Sequence, residues 1–228
     1  MRIRFPKPLK GWRVFAGEVG TIVLGVLIAL GAQELVQSLH WKREVRETRK
    51  ALDAELSRDL AAFEYRIAER PCVAARVSEI QRWAESFRTG KPLRLKHEII
   101  PQPGFAIRTE VWELVNGEIA ARIPLKPRLN YAGIYSSMRS FEALVTGEGQ
   151  AWDVILEHEN SASLSDADIR KIVKAAGDIA AGNEILAAFQ TTTQRHAREL
   201  GIKPDPNLLR TANPMVEEIR KAACEPYL

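Results

Sequence analysis

The chain has 228 residues, of which 46% are hydrophobic and 27% charged, enough apolar material for one folded domain with an appendage. Its net charge of +4 would suit a nucleic-acid-binding protein, but five of its basic residues lie at the very beginning of the chain: Arg2, Arg4, Lys7, Lys10 and Arg13. Residues 14–228 therefore carry a net charge of −1. A region without excess positive charge holds a polyphosphate poorly, so we expect no nucleic-acid partner.

An apolar segment follows this basic tail. Residues 19–33 contain no charge, and the apolar character extends to residues 14–39 with only Glu18 and Glu34 as interruptions. A helix rises about 1.5 Å per residue and the hydrocarbon core is about 30 Å thick, so a span must include the flanking turns. We predict a transmembrane helix over residues 14–40, with membrane lipid as its surroundings.

A cleaved signal peptide is the competing interpretation of this segment. A basic start, an apolar stretch and small residues at 29–31 resemble a cleavage site before Ala32. Against cleavage, the apolar helical pattern continues to Leu39 without a turn signal, and Trp12 and Trp41 bracket the segment as interfacial tryptophans do. We favour the retained anchor.

The basic residues around the segment predict its orientation. Five Lys or Arg precede it, which favours a cytoplasmic N-terminus and an exported C-terminal domain, although residues 42–58 hold six more basic residues on the other side. We therefore expect a single crossing of the membrane, with the C-terminal domain outside the cytoplasm.

A stripe of small side chains recurs every fourth residue along the predicted span. Its members are Gly17, Thr21, Gly25 and Ala29. Such a stripe lets two helices approach closely in lipid, so it is a candidate packing face for a homodimer. The alternative is that glycine is simply common in membrane helices.

The sequence after Trp41 is rich in helix-forming residues and contains no Gly or Pro before Pro71. We predict a juxtamembrane helix over residues 41–70 that continues the membrane helix. Its apolar side chains form a stripe that widens beyond Leu52: Val45, Leu52, Leu56, Leu60, Phe63 and Ile67.

Turn signals divide the rest of the chain. A second helix is predicted from Pro71 to the residues before Gly90, followed by a long loop over residues 91–108. A short helix is then predicted from Thr109 to Gly117. Another helical turn is predicted over residues 119–123, before Pro124.

Pro127 is predicted to open a long helix that breaks or bends at Gly147 and Gly149. Ser165 and Asp168 form a capping pair for the next helix, which ends at Gly201. Asn213 and Pro214 start the last one. Strand signals are nearly absent, so the fold class is all-α, with one transmembrane helix continuing into a soluble bundle of about five helices. In chain order the predicted parts are a basic cytoplasmic tail (1–13), the transmembrane helix (14–40), the juxtamembrane helix (41–70) and an α-helical extracytoplasmic domain (71–228).

Cys72 and Cys224 are the only two cysteines. In an exported domain the compartment is oxidising, and an even number of cysteines fits a bridge. We predict a disulfide between them, the alternative being two free buried thiols.

No motif in the sequence requires a particular chemistry. The histidines are far apart along the chain and lack metal-ligand spacing: His40, His97, His158 and His196. Residues 157–159 read Glu-His-Glu, but adjacent helical residues point in different directions, so a solvated helix end is favoured over an acid/base site. One aromatic set, Trp112, Tyr131, Tyr135 and Phe141, is assigned to the core rather than to a ligand pocket. We predict no catalytic, cofactor-binding or metal-binding residues and no cofactor.

Three stretches of the sequence resemble a known class of proteins. They are FAGEVGTIVLGVLIALGAQELVQ, VWELVNGEIAARIP with its Trp112 to Gly117 spacing, and NYAGIYSSMRSF. They resemble single-span bacterial membrane proteins that share a domain of unknown function. The resemblance implies an anchor in the inner membrane with the domain outside the cytoplasm, in the periplasm, and it brings no catalytic residues.

The leading functional hypothesis is a membrane-tethered, non-enzymatic interaction or sensor protein with an unidentified protein partner. The alternatives are an envelope enzyme or small-molecule-binding protein with a pocket between helices, and a subunit of a larger membrane complex. An enzyme would collect His158 or His196 with carboxylates in a concave pocket, and a complex subunit would expose an apolar patch on its soluble helices.

Overall fold

The computed structural model of the chain describes residues 11–115, 117–210 and 214–228. Most of the basic tail (1–10) and the expected helix-capping residue Asn213 therefore lie outside the described residues. The described residues form helices joined by turns and loops, without a strand among them, which confirms the all-α prediction.

Eight α-helices are present in the described part of the chain. They are α1 (Trp12–Ala68), α2 (Arg70–Ser86, followed by a 3₁₀ turn at Phe87–Thr89), α3 (Glu110–Leu114), α4 (Gly117–Arg122), α5 (Leu125–Leu156), α6 (Asp166–Leu200), α7 (Pro206–Arg210) and α8 (Pro214–Cys224). After α1 the described residues thus contain four substantial helices and three of five or six residues, where about five were predicted.

The chain divides into two compact units, Met1–Thr48 and Arg49–Leu228. The division falls within the predicted juxtamembrane helix (41–70), because α1 buries its first side chain, Leu52, only after it has entered the second unit. In the first unit, residues 12–48 are helical throughout.

Helices α2, α5 and α6 form the centre of the second unit, with α6 packed against both of the others. The last part of α1 adds the apolar stripe that its spacing predicted: Leu52, Leu56, Leu60 and Phe63 are each at most 1% exposed. Phe63 meets Phe141 of α5 edge to face, with ring centroids 5.3 Å apart. The residues between the 3₁₀ turn and α3 are irregular, and their Ile99 is buried in this core.

Of the predicted break or bend in the long helix, the break does not occur: α5 is continuous through Gly147 and Gly149. Each glycine weakens a helix by about 1 kcal/mol, which tertiary contacts can offset. Here the neighbouring side chains are anchored, since Glu148 pairs with Arg66 of α1 and Trp152 is buried.

The predicted ends of α6 are confirmed. Ser165 accepts a hydrogen bond from the backbone N–H of Asp168, and the Asp168 carboxylate accepts one from the backbone N–H of Ser165. Gly201 ends the helix in the left-handed conformation, with φ of 76°, which glycine adopts without steric cost.

Two helical glycines give opposite expectations for substitution by alanine. Gly177 of α6 has no neighbouring atom within 4 Å of an added methyl group, whereas at Gly133 of α5 the methyl would lie 3.0 Å from Nε2 of His196. We expect Gly177→Ala to raise the free energy of unfolding by about 0.5–1 kcal/mol through helix propensity alone. Gly133→Ala should gain less than that, or lose stability, because the same benefit is offset by the close contact.

Denaturant unfolding of each variant in detergent micelles measures the difference. Combining Gly133→Ala with His196→Ala serves as the control, since it removes the clashing ring and should restore the benefit of alanine relative to His196→Ala alone. Equal gains for Gly133→Ala and Gly177→Ala would contradict this account.

Candidate membrane segment and buried polar clusters

The first part of α1 leaves its apolar side chains exposed. Among the described helices, α1 is the one long and apolar enough to cross a membrane, and none of its most apolar eighteen-residue stretch is buried. The large exposed apolar side chains there are Trp12, Val14, Phe15, Val19, Ile22, Val23, Leu24, Val26, Leu27, Ile28, Leu30, Leu35, Val36 and Leu39. A helix apolar on every side needs an apolar environment to cover it.

The small-residue stripe predicted for helix pairing lies within this stretch of α1. The Thr21 hydroxyl donates a hydrogen bond to the Gly17 carbonyl oxygen at 2.9 Å. Its polar group is thus satisfied inside its own helix, as a lipid environment requires. Pairing through Gly17, Thr21, Gly25 and Ala29 stays a prediction.

The two cysteines meet at the edge of the second unit. Their sulfur atoms are 1.99 Å apart, at disulfide distance, and the pair joins the first turn of α2 to the end of α8. The structure thus brings the two cysteines of the predicted disulfide, Cys72 and Cys224, to bonding distance. The bond closes a loop with a sequence separation of 152 residues.

Reduction should destabilise the second unit, because the bond restricts the unfolded chain. We expect a loss of about 2–4 kcal/mol in the free energy of unfolding when dithiothreitol is added to the wild-type protein. Urea unfolding with and without the reductant measures it, and the Cys72→Ser/Cys224→Ser variant, which should be indifferent to reductant, is the control. If the unreduced wild-type protein is labelled at both cysteines by a maleimide after denaturation, the bond is absent and the prediction fails.

The histidines named for possible chemistry make packing contacts. The His158 ring lies between α5 and α6, with Nδ1 at 3.0 Å from the Val154 carbonyl oxygen and Nε2 at 3.5 Å from an Asp168 carboxylate oxygen. His196 of α6 contacts the Asn130 side chain through Nδ1 at 2.9 Å.

Residues 157–159 do not converge on one point. The Glu159 carboxylate accepts a hydrogen bond from the backbone N–H of Ile99, while His158 faces Asp168. His97 lies beside the Tyr227 ring, with centroids 5.3 Å apart, and the exposed His40 lies 4.0 Å from Glu44. Within the described residues, no group of three His, Cys, Asp or Glu side chains is arranged to hold a metal ion.

Three of the four aromatic residues predicted for the core are buried, and the fourth is half-buried. Tyr131, Tyr135 and Phe141 are each 0% exposed. Trp112 of α3 is half-buried and stacks on the Tyr135 ring, with centroids 4.9 Å apart and an interplanar angle of 17°. These rings hold α3 on α5.

Two carboxylates of α1 hold the start of α3, a feature that the sequence did not indicate. Glu55 accepts hydrogen bonds from the Tyr135 hydroxyl at 2.6 Å and from the backbone N–H of Val111 at 3.0 Å. Asp59, one turn further along α1, accepts a hydrogen bond from the backbone N–H of Arg108 at 3.2 Å. The two carboxylates thereby satisfy amide groups at the start of α3 that the helix itself leaves free.

Asp59 is nearly inaccessible, with 2% of its surface exposed, and its second carboxylate oxygen has no hydrogen-bond partner in the described structure. Burial raises the pKa of Asp59 to about 7, and the neighbouring Glu55 carboxylate adds to the effect. The Arg108 amide opposes the shift without cancelling it.

A second buried polar cluster connects α1 with α5 and α6. The Arg66 guanidinium donates through Nη2 to both carboxylate oxygens of Glu148, at 2.8 and 3.0 Å, and through Nη1 to the Asn183 side-chain oxygen at 3.3 Å. Arg66 is 1% exposed. Asn183 also donates to the Arg70 carbonyl oxygen at 3.1 Å, which adds α2 to the cluster.

Glu69, at the junction of α1 and α2, lies in the same region. It is 2% exposed, and neither carboxylate oxygen has a hydrogen-bond partner within the described part of the chain. Burial raises the pKa of Glu69 to about 7, although the guanidinium groups of Arg66 and Arg220 favour its charged form.

A cavity of about 150 Å³ lies beside this cluster. Its lining includes Arg66, Gln102, Glu148 and Trp152, and the side chains of Gln102 and Trp152 each contribute a buried polar atom without a hydrogen-bond partner in the described structure. The space is sufficient for a few water molecules, which commonly satisfy such groups.

No family model, curated protein or solved structure matches the chain. The structural observations above therefore carry the functional argument.

The sequence contains one signal for these buried charges. Glu55, Asp59 and Arg66 fall on or beside the apolar stripe of α1 rather than on its opposite face. A charged side chain on a core-facing stripe must find a partner from another helix, but the sequence does not say which helix provides it.

Proposed function

We propose that this chain is a single-span membrane protein of the bacterial inner membrane. Its second unit would act as a non-enzymatic interaction or sensor domain outside the cytoplasm. The observation that carries the proposal is the apolar stretch of α1, in which none of the most apolar eighteen residues is buried. A lipid bilayer is the environment that stabilises such a surface, and the stretch is flanked by Trp12 and Trp41 as interfacial anchors.

The basic tail and the cysteine pair support the orientation. Five basic residues before the span favour a cytoplasmic N-terminus. Cysteines at disulfide distance suit an oxidising compartment, as the periplasm is. The resemblance to single-span bacterial membrane proteins points the same way.

The polar groups of the second unit support a binding role rather than catalysis. Glu55 and Asp59 hold a backbone segment, Arg66 and Glu148 join helices, and His158 and His196 contact neighbouring helices. These side chains contact other parts of the protein, as in a scaffold, although one carboxylate oxygen of Asp59 has no hydrogen-bond partner in the described structure.

Membrane fractionation with topology reporters tests the proposal. The full chain should remain in the membrane pellet after carbonate extraction and keep its N-terminal segment, while an alkaline phosphatase fused after Leu228 should be active and a green fluorescent protein there dark. Leu24→Arg/Ile28→Arg should abolish retention because two charges in the hydrocarbon core are costly.

Leu93→Arg is the matched control, since this exposed leucine lies in the second unit and should leave retention unchanged. A soluble protein beginning at Ala32 would overturn the proposal. The interaction role requires a protein partner. Cross-linking in intact cells followed by co-purification is the experiment that identifies this partner.

A further inference from the structure

One exposed face of the second unit combines leucines with basic residues. Leu125 and Leu129 of α5 are 61% and 59% exposed. They are four residues apart and so lie on the same side of the helix. The buried side of the same helix carries Tyr131, Ile134 and Tyr135.

Basic residues flank this pair of leucines. At 100° per residue, Lys126 lies on one side of the pair and Arg128 on the other, and Arg122 precedes them at the end of α4. Residues 119–129 contain three basic and no acidic residues, although residues 14–228 as a whole carry a net charge of −1. We call Arg122, Leu125, Lys126, Arg128 and Leu129 the basic-apolar face.

The basic residues are held in place without being buried. Arg128 donates a hydrogen bond to the Ala120 carbonyl oxygen at 3.1 Å, which ties the end of α4 to α5. Lys126 lies 3.5 Å from Glu199 with its side chain 81% exposed. Such an exposed pair is weak and screened by salt, so the ammonium group can exchange it for a phosphate.

Within the second unit, the face lies close in sequence to a residue that contacts the beginning of the unit. Tyr131, two residues after Leu129, donates a hydrogen bond to Asp53 of α1, and its hydroxyl also interacts with Arg49, the first residue of the unit. Arg49 follows Trp41 by only eight residues of chain.

We propose that the basic-apolar face docks on an anionic lipid surface. The leucines would enter the headgroup boundary, and the flanking cations would contact lipid phosphates, the arrangement that favours interfacial binding. The charge of the face favours lipid over a second copy of the chain as its binding partner. Leucines flanked by cations suit an anionic lipid surface, whereas the same face of a second copy would place its cations against the cations of the first. This inference rests on the proposed membrane anchoring.

Hydrogen exchange of the full chain in nanodiscs tests the docking. We compare neutral phosphatidylcholine nanodiscs with nanodiscs containing about one third phosphatidylglycerol, and follow peptides over residues 119–131. The backbone amides of the residues before α5 and of the first turn of α5 should exchange at least about threefold more slowly on the anionic nanodiscs. The reason is that docking protects amides that have no hydrogen-bond partner within the helix.

Leu125→Ser/Leu129→Ser and Lys126→Glu should each abolish the added protection. Ile185→Ser is the matched control, because Ile185 of α6 is also an exposed side chain of the size of leucine. This variant should retain the added protection on anionic nanodiscs. These side chains are exposed, so all variants should fold, as thermal unfolding verifies.

Equal exchange on neutral and anionic nanodiscs, with the chain incorporated in both, overturns the docking and leaves the anchoring intact. Protection that also appears in detergent and grows with protein concentration indicates a second copy and likewise overturns it. A chain that does not incorporate into nanodiscs overturns both proposals.

Discussion

Replacing Arg66 by methionine should lower the free energy of unfolding by about 3–5 kcal/mol. The substitution preserves much of the side-chain volume but removes the cation that pairs with Glu148 and the donor to Asn183. It also removes a positive charge that favours the ionised form of Glu69. The loss is large because charges buried among helices are left without a partner, and it should appear in urea unfolding monitored by tryptophan fluorescence in detergent micelles.

A double-mutant cycle separates the ion pair from simple packing. Arg66→Met/Glu148→Leu should recover more than half of the loss, since a buried ion pair can often be replaced by apolar side chains at little cost. Arg58→Met, an exposed position two turns earlier on α1, should change stability by less than about 0.5 kcal/mol. Equal losses at Arg58 and Arg66 would contradict the role of the buried cluster.

The stability of the second unit should decrease as the pH rises from about 5 to about 8. Asp59 and Glu69 both have a pKa near 7 in the folded protein, against ordinary values of 3.8 and 4.5. A group whose pKa is raised by folding binds more protons in the folded state, so its favourable contribution is complete below the unfolded pKa and is lost as the pH passes the folded pKa. Each carboxyl group could account for about 3–4 kcal/mol at most, at 1.36 kcal/mol per unit of pKa difference.

Substituting the two acids tests this assignment. Asp59→Asn and Glu69→Gln should each flatten the dependence of unfolding free energy on pH and raise stability at pH 8 relative to the wild-type protein. Asp178→Asn, at an exposed carboxylate paired with Lys174, should leave the slope unchanged. An unchanged slope in Asp59→Asn/Glu69→Gln would show that these groups do not titrate in this range.

Two partly exposed carboxylates, Glu217 and Asp168, limit the stability at the acidic end of this pH range. The pKa of Glu217 is lowered, chiefly by its hydrogen bond with Arg220, and that of Asp168 is lowered by Ser165. A lowered pKa contributes stability above the unfolded value that is lost as the pH falls through the folded value. The greatest stability is therefore expected on the acidic side of neutrality.

The sequence predicts the helices better than it predicts their contacts. Local signals suffice where the physics is local: Ser165 and Asp168 form a reciprocal cap, and Gly201 ends α6 in the conformation that glycine favours. The apolar spacing of Leu52 to Phe63 correctly predicts a buried stripe. These features depend on residues within a few positions of each other.

The remaining features depend on partners distant in sequence. Gly147 and Gly149 predicted a break or a bend, and the break does not occur, because Arg66, 82 residues before Glu148 in the sequence, pairs with Glu148 there. Likewise, Glu55 and Asp59 lie beside the apolar stripe of α1, but that position does not show that the start of α3 provides their hydrogen-bond partners. No local pattern shows which backbone amide or guanidinium will compensate a buried carboxylate.

The way α1 is shared between the two units has a consequence for proteolytic release. Residues 49–68 of this helix belong to the second unit and supply four core side chains, Leu52, Leu56, Leu60 and Phe63. A protease that cuts just before Pro71 would separate the remaining helices from this layer and from Arg66, and so shed a fragment that unfolds. A cut before Arg49 would instead leave the second unit with all of these core side chains and, under the proposed anchoring, would release it from the membrane.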